Sequence, residues 1–347
     1  MADNKNQHFV PQHYFKFFSG GDDFICLLLR GNGRVVKTAP IKGQSSKSYF
    51  YGDSDTEKQV TDIESKFIPT LKRLRQMEDF SGLSREDHEY LAQAIMFQRT
   101  RTLAARADFQ PMHDKIGRLM LQGAINADEK LSEEFKQELL QVLPYVTANA
   151  EAHQGVRMGL AVIEAHNLLD LECILLKNKT TRPFIFGDAP VVLTNPAQKK
   201  IVNRGVLGAK SPGLIVYYPI GPFEGVMLVD RNVYDVKGVR AGRLNVRELR
   251  DVEQLNKLQI HASASAVYFH DAKYSDYVQY LWGEVGAAVD GARGEVVEQK
   301  NEDGRELILS YERQLPFLPR LSYLRYDEMN ADSYFIDRDT YFFDMRA

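Results

Sequence analysis

The residues best suited to chemistry in this chain are few and far apart: His8, Glu64, Gln98, Arg101 and Asp188. His8 belongs to Gln7-His8-Phe9-Val10-Pro11-Gln12. The proline ring disfavours helical backbone at Val10, so the imidazole is carried on extended chain. With an ordinary pKa of about 6.5 it can serve as base, acid or metal ligand, or simply tie the terminus down. Glu64 follows Ile63 where a helical period begins. Its carboxylate either meets the positive end of a helix dipole or is free to bind. Gln98 and Arg101 are three apart and share a helix face. Met96 and Phe97 beside them argue for burial. A buried guanidinium needs a partner, which is either a structural carboxylate or an anionic ligand such as phosphate. Asp188 stands in Phe184-Ile185-Phe186-Gly187-Asp188-Ala189-Pro190-Val191, where an apolar run breaks into a turn. A carboxylate on so rigid a support suits a metal ligand or general base. It equally suits an Asx-turn.

Two readings of different class follow. If the residues converge, Glu64 and Asp188 hold a divalent cation, with His8 as base or further ligand. Arg101 and Gln98 then complete the catalytic set, the arginine stabilising charge on phosphate. Oxygen donors with one imidazole favour Mg²⁺ or Mn²⁺. The protein would then be a phosphodiesterase or nuclease, with nucleic acid or a nucleotide as its partner. In the other reading the same residues form a buried polar network that fixes the N-terminal segment, and the protein is a non-catalytic interaction module.

Motifs that would point to other chemistries are missing from the sequence. There is no phosphate-cradling Gly-x-x-x-x-Gly-Lys-Ser/Thr, no His-Glu-x-x-His, no Gly-x-Ser-x-Gly and no Cys-x-x-Cys. Gly31-Asn32-Gly33 lacks the third glycine and the helix of a dinucleotide site. No organic cofactor is indicated. Cys26 and Cys173 are too few for a disulfide framework. Lys and Arg number 44 against 47 Asp and Glu, a net charge of −3. A uniformly basic surface is excluded, so an anionic substrate would depend on local groups such as Arg99 and Arg101.

These side chains need elements to position them. In 347 residues, 44% are apolar and 26% charged, which fits a folded globular chain rather than a disordered one. Phe24–Leu29 and Val35-Val36 flank a glycine turn and read as a β-hairpin. Residues 37–60 read as polar loop. From about 61 the period is helical, with Ile63, Phe67, Leu71 and Leu74 on one face. Ser84 with Asp87 opens a second helix, whose stripe runs through Leu91 and Ile95 to Thr102. Further helices are expected over 111–125, 131–143 and 150–169. After Asp170 short apolar runs read as strands at Glu172–Lys177, Arg182–Phe186, Val191–Thr194, Leu214–Pro219 and Gly225–Val229. A helix returns at 248–266, and 285–306 reads as a mobile loop or hairpin.

The fold class expected is α+β: a mixed sheet of N-terminal and C-terminal strands covered by a helical layer. The divisions are 1–60, 61–170 and 171–347, with the first and last forming one interwoven body. The aromatic tail from 310 (Tyr311, Phe317, Tyr334, Phe335, Phe342, Phe343) is expected to pack on the body or on a protein partner. The N-terminus lacks an apolar signal core, and the longest apolar runs are far short of the ~20 residues that span a bilayer. The chain reads as cytoplasmic, with no membrane contact.

Taken together, the motifs resemble those of a prokaryotic domain-of-unknown-function family, numbered 4238. The opening His8-Phe9-Val10-Pro11-Gln12 with Tyr14 and Phe17, the pair Ile63-Glu64, the stretch Gln98 to Arg101 and Phe184–Val191 follow in the family's order. Pro219-Ile220-Gly221-Pro222 matches a later motif loosely. Phe186-Gly187 stands where the family commonly has Thr-Ser. The resemblance implies no reaction. It does imply that His8, Glu64, Gln98, Arg101 and Asp188 form one group, in a protein that could serve in bacterial defence.

Overall fold

A computed structural model gives the fold and describes residues 6–51, 54–149, 154–201, 204–287, 292–300 and 306–329. Strand β1 (Asn6–His8) is followed by helix α1 (Gln12–Ser19), the hairpin β2 (Phe24–Leu29) and β3 (Val35–Pro40), and the short β4 (Ser46–Ser48), which pairs with β1. Five helices come next: α2 (Ser54–Gln76), α3 (Arg85–Thr100), α4 (Leu103–Ala127), α5 (Glu133–Val142) and α6 (Gln154–Glu164). The second half holds β5 (Glu172–Asn178), β6 (Phe186–Gly187), β7 (Val192–Thr194), β8 (Ile215–Pro219), β9 (Glu224–Val229), β10 (Asp235–Val236) and β11 (Arg243–Val246). After these run α7 (Leu249–Ala262), β12 (Ala266–Phe269), α8 (Ser275–Val285), the hairpin β13 (Gly294–Lys300) and β14 (Glu306–Glu312), and β15 (Leu324–Arg325). The fold is α+β, as the sequence suggests.

Two larger sheets carry the body, ordered β11-β5-β9-β8-β7 and β3-β2-β12-β6. The N-terminal hairpin joins the second half of the chain directly, with Leu29–Cys26 antiparallel to Ala266–Phe269. Period-two alternation splits β2 between two cores. Ile25 and Leu27 pack with Phe15 and Tyr268, while Cys26 and Leu28 pack with Val278 and Leu281. Apolar residues therefore run continuously along β2, because both faces are covered.

Several elements differ from expectation, each for a local reason. Helix α2 starts at Ser54 rather than 61. Its first turn is polar and reads as loop, but Asp55 and Glu57 favour a helix N-terminus. Glu64 is therefore mid-helix, not in the first turn. Helix α3 ends at Thr100, and Thr102 does not continue its stripe: its side chain caps α4 by accepting from Ala105 N. The aromatic run after Pro11 is helix α1, ended by Gly20 in left-handed conformation (φ 72°). Strand β6 is only two residues long, because Ile185 N and Gly187 N donate to Asn256 and Gln259 of α7 instead of a neighbouring strand. Helix α7 stops at Ala262, short of the expected 266, and α8 follows β12 where the sequence pattern gives no helix. Among the described residues no helix is long and apolar enough to cross a membrane. Tyr334, Phe335, Phe342 and Phe343 of the aromatic tail lie outside the described residues.

Candidate functional site

Four of the five singled-out residues meet where the N-terminal segment crosses the end of α3. Val10 and Phe9 are buried, and Phe9 N donates to Ser45 O at 2.9 Å. Pro11 at the start of α1 leaves the preceding chain extended (its own ψ is 145°). Tyr14 then stacks on Tyr218 of β8, with ring centroids 5.3 Å apart, and its hydroxyl donates to Pro219 O. Aromatic packing thus fixes α1 to the sheet and fixes the direction of the segment before it.

Arg101 is the centre of the cluster. It occupies the C-terminal cap of α3, where the partial negative charge of the helix end favours a cation. The residue is 1% exposed. Its Nε donates to the Tyr51 hydroxyl at 2.9 Å, its Nη2 to the His8 carbonyl at 2.5 Å, and its Nη1 pairs with the Glu64 carboxylate. Tyr51 also donates to the His8 carbonyl at 2.9 Å. One turn earlier, Gln98 Nε2 donates to the Phe9 carbonyl at 2.9 Å. Burial pulls the Arg101 pKa down, but Glu64 and Tyr51 outweigh it and hold it above its usual value. In the fold the partner of this side chain is the structural carboxylate, Glu64.

His8 is held at one ring nitrogen by backbone and meets only an exposed side chain at the other. Its Nδ1 lies 3.1 Å from the Gln44 carbonyl, which can only accept. The proton is therefore on Nδ1 and the lone pair on Nε2. The contact at Nε2 is the amide of Gln12, 3.1 Å away on an exposed side chain. Burial and Arg101 lower the His8 pKa, against Gln44 and Glu64, which raise it. The imidazole is thus neutral at pH 7.

Asp188 sits apart from these partners. Its oxygens accept from the backbone amides of Ala264 (2.8 Å), Ser265 (2.7 Å) and Ala266 (3.4 Å). The carboxylate joins the turn after α7 to the start of β12. Burial pushes its pKa up and the three amides pull it back. Its geometry is that of a buried turn cap.

The donor set does not fit the expected Mg²⁺ or Mn²⁺. Glu64 is committed to Arg101 and Asp188 to three amides, and the two share no partner. Among the described residues no group of three or more His, Cys, Asp or Glu side chains could hold a metal ion. A carboxylate already neutralised by a guanidinium, and one already saturated by amides, make poor cation ligands.

Other residues of the cluster were missed from sequence. Tyr51 is one. Glu57 lies two helical turns before Glu64, a spacing of seven that puts both on one face. Its Oε2 is buried with no hydrogen-bond partner among the described residues, and burial raises its pKa. His13 is the third: burial, then Arg101 and Lys72, lower its pKa to about 3.

These features define an α+β protein whose N-terminal segment is clamped by an arginine-centred polar cluster with the neutral imidazole of His8 at its edge. A family model described as "Protein of unknown function (DUF4238)" matches residues 6–273, most of the chain, and the chain belongs to that family. No curated protein and no solved structure matches it.

Proposed function

We propose that the chain is a hydrolase in which His8 is the general base and Arg101, Gln98, Tyr51 and Glu64 are positioning residues. The observation that carries this reading is the orientation of His8. Its Nδ1 is held by Gln44 O, its ring is neutral, and its Nε2 faces a single exposed side chain, that of Gln12. When Gln12 turns away, Nε2 can take a proton from water, whose oxygen then attacks an electrophilic centre. The leaving group departs with a proton from solvent. Phosphodiesters, including nucleic acid, are the substrate class we assign. Support comes from the exposed cation of Lys72, whose charge reaches the neighbouring His13 imidazole. With both carboxylates otherwise engaged, the reaction is expected to persist in chelator.

The test is hydrolysis of bis(4-nitrophenyl) phosphate, single-stranded RNA and single-stranded DNA, in EDTA and with added Mg²⁺ or Mn²⁺. Wild type is compared with His8→Gln, which keeps an amide hydrogen-bond donor but no titratable nitrogen. Loss of turnover in the variant with an unchanged melting temperature supports the reading. A dependence on added metal would contradict the metal-free mechanism.

A specific observation also favours the non-catalytic reading. All three nitrogens of Arg101 are engaged within the fold, so the network fully explains this residue and Gln98 as anchors of the N-terminal segment. In that case no phosphodiester is cleaved, and His8→Gln changes nothing but local hydrogen bonding.

A further inference from the structure

A cavity of about 490 Å³ lies outside the His8 cluster, between α3, α4, the loop at 204–211 and the hairpin β13–β14. This volume falls within the ~300–1,000 Å³ of small-molecule sites. The hairpin is seated firmly on its neighbours. A Cβ on Gly205 would come within 2.6 Å of Tyr311 Cβ, and one on Gly294 would overlap the Asp108 carbonyl. Glycine is what allows these close approaches.

The walls carry charge and aromatic surface together: Arg99 and Arg204, Asp108 and Glu312, and the rings of Phe109 and Tyr311. Most of the charge is internally matched. Glu312 joins Arg99 to Arg293 (2.5 Å to the latter), and Arg293 N donates to Asp108 at 2.6 Å. Arg157, which does not itself line the cavity, has no ion-pair partner among the described residues. It is 9% exposed, and its guanidinium lies 3.5 Å from the centroid of the Phe109 ring, behind the cavity wall. Its Nη2 reaches Ala105 O only at 3.5 Å, while Nε and Nη1 are buried with no hydrogen-bond partner among the described residues. Burial, then Arg99 and Arg106, pull its pKa down to about 9. A buried cation without an anion is costly to hold. Around Phe109, Arg99 and Arg293 are joined to Asp108 and Glu312, and among the described residues Arg157 forms an ion pair with neither carboxylate. Elsewhere on the wall Glu164 and Arg204 carry one charge of each sign.

We propose that this cavity binds a small organic anion carrying a planar ring, the ring packed against Phe109 and Tyr311 and the negative group offsetting the unmatched arginine charge. The proposal stands whether or not His8 is catalytic. Phosphate-bearing and carboxylate-bearing ligands share this chemistry, and the probes separate them.

Calorimetric titration of the full chain uses adenosine 5′-monophosphate, indole-3-acetate, and neutral adenosine. One of the two anions is expected to bind below about 1 mM and at least about tenfold more tightly than adenosine. Arg157→Met keeps the packing on Phe109 and removes the charge. It is expected to melt at the same temperature as wild type or higher, and to lose the bound anion. Ala209→Trp fills the cavity and is expected to abolish binding with every charge in place. The proposal is overturned if neither anion binds, if adenosine binds as well as the anions, or if Ala209→Trp binds like wild type. It is also overturned if Arg157→Met destabilises the ligand-free protein, since the cation would then be matched within the fold.

Discussion

Arg101 and Gln98, three residues apart at the end of α3, take up two consecutive backbone carbonyls of the N-terminal segment, those of His8 and Phe9. The contact is made by residues about 90 positions apart in sequence. It fixes the segment's register on the helical layer, and with it the place of the His8 imidazole.

Removing the arginine should be severe. Arg101→Met leaves the Glu64 carboxylate unpaired and removes one of the two donors to the His8 carbonyl, the other being the Tyr51 hydroxyl, at a cost of about 3–5 kcal/mol. Urea unfolding monitored by circular dichroism measures it. Arg101→Lys keeps the charge but cannot reach three partners from one ammonium, so most of the loss should remain. A change below about 1 kcal/mol in Arg101→Met would contradict the clamp.

Gln98→Leu removes one donor and strands the Phe9 carbonyl, which should cost about 1–3 kcal/mol. Hydrogen exchange is expected to quicken at the amides of residues 6–10 before the rest of the fold. Uniform quickening across the sheets would show that the bond serves the whole core instead.

Asp188→Asn should lower stability by about 1–3 kcal/mol, because a neutral amide accepts from three backbone N–H groups less well than a carboxylate. As a turn cap, Asp188 should not matter to turnover per folded molecule. A rate loss beyond the unfolded fraction would return it to the catalytic set.

The pH dependence follows from the imidazoles. In the folded chain His13 titrates near 3, below the value of about 6.5 for an unfolded histidine. Between these values the unfolded state binds the extra proton, so stability is full above about pH 6.5 and falls as pH drops towards 3. One such group contributes a slope of at most about 1.4 kcal/mol per pH unit. His13→Phe should flatten the acid limb of the stability profile, and an unchanged limb would contradict a neutral, half-buried His13.

Much of this was legible in sequence where a residue's context is local. Pro11 announces the extended segment, Ser84 and Asp87 form the capping box of α3, and the Gln98–Arg101 spacing announces a shared face. The hairpin at Phe24–Val36 is equally local. What failed was non-local. Nothing in the chain says that Arg101 is matched by Glu64 rather than by a phosphate, since that pairing rests on how α2 lies beside α3. Grouping Asp188 with Glu64 failed for the same reason: its amide partners belong to the turn before β12, some 76 residues on. The seven-residue spacing of Glu57 and Glu64 was readable, but only once the helix is extended back to Ser54.

The most direct test of the central claim is phosphodiester hydrolysis by wild type and His8→Gln in EDTA, with the melting temperatures of both. The account predicts turnover in wild type, a loss of about 10²-fold or more in the variant, and closely matched melting temperatures. Equal turnover in the two proteins, or none in wild type, would contradict it.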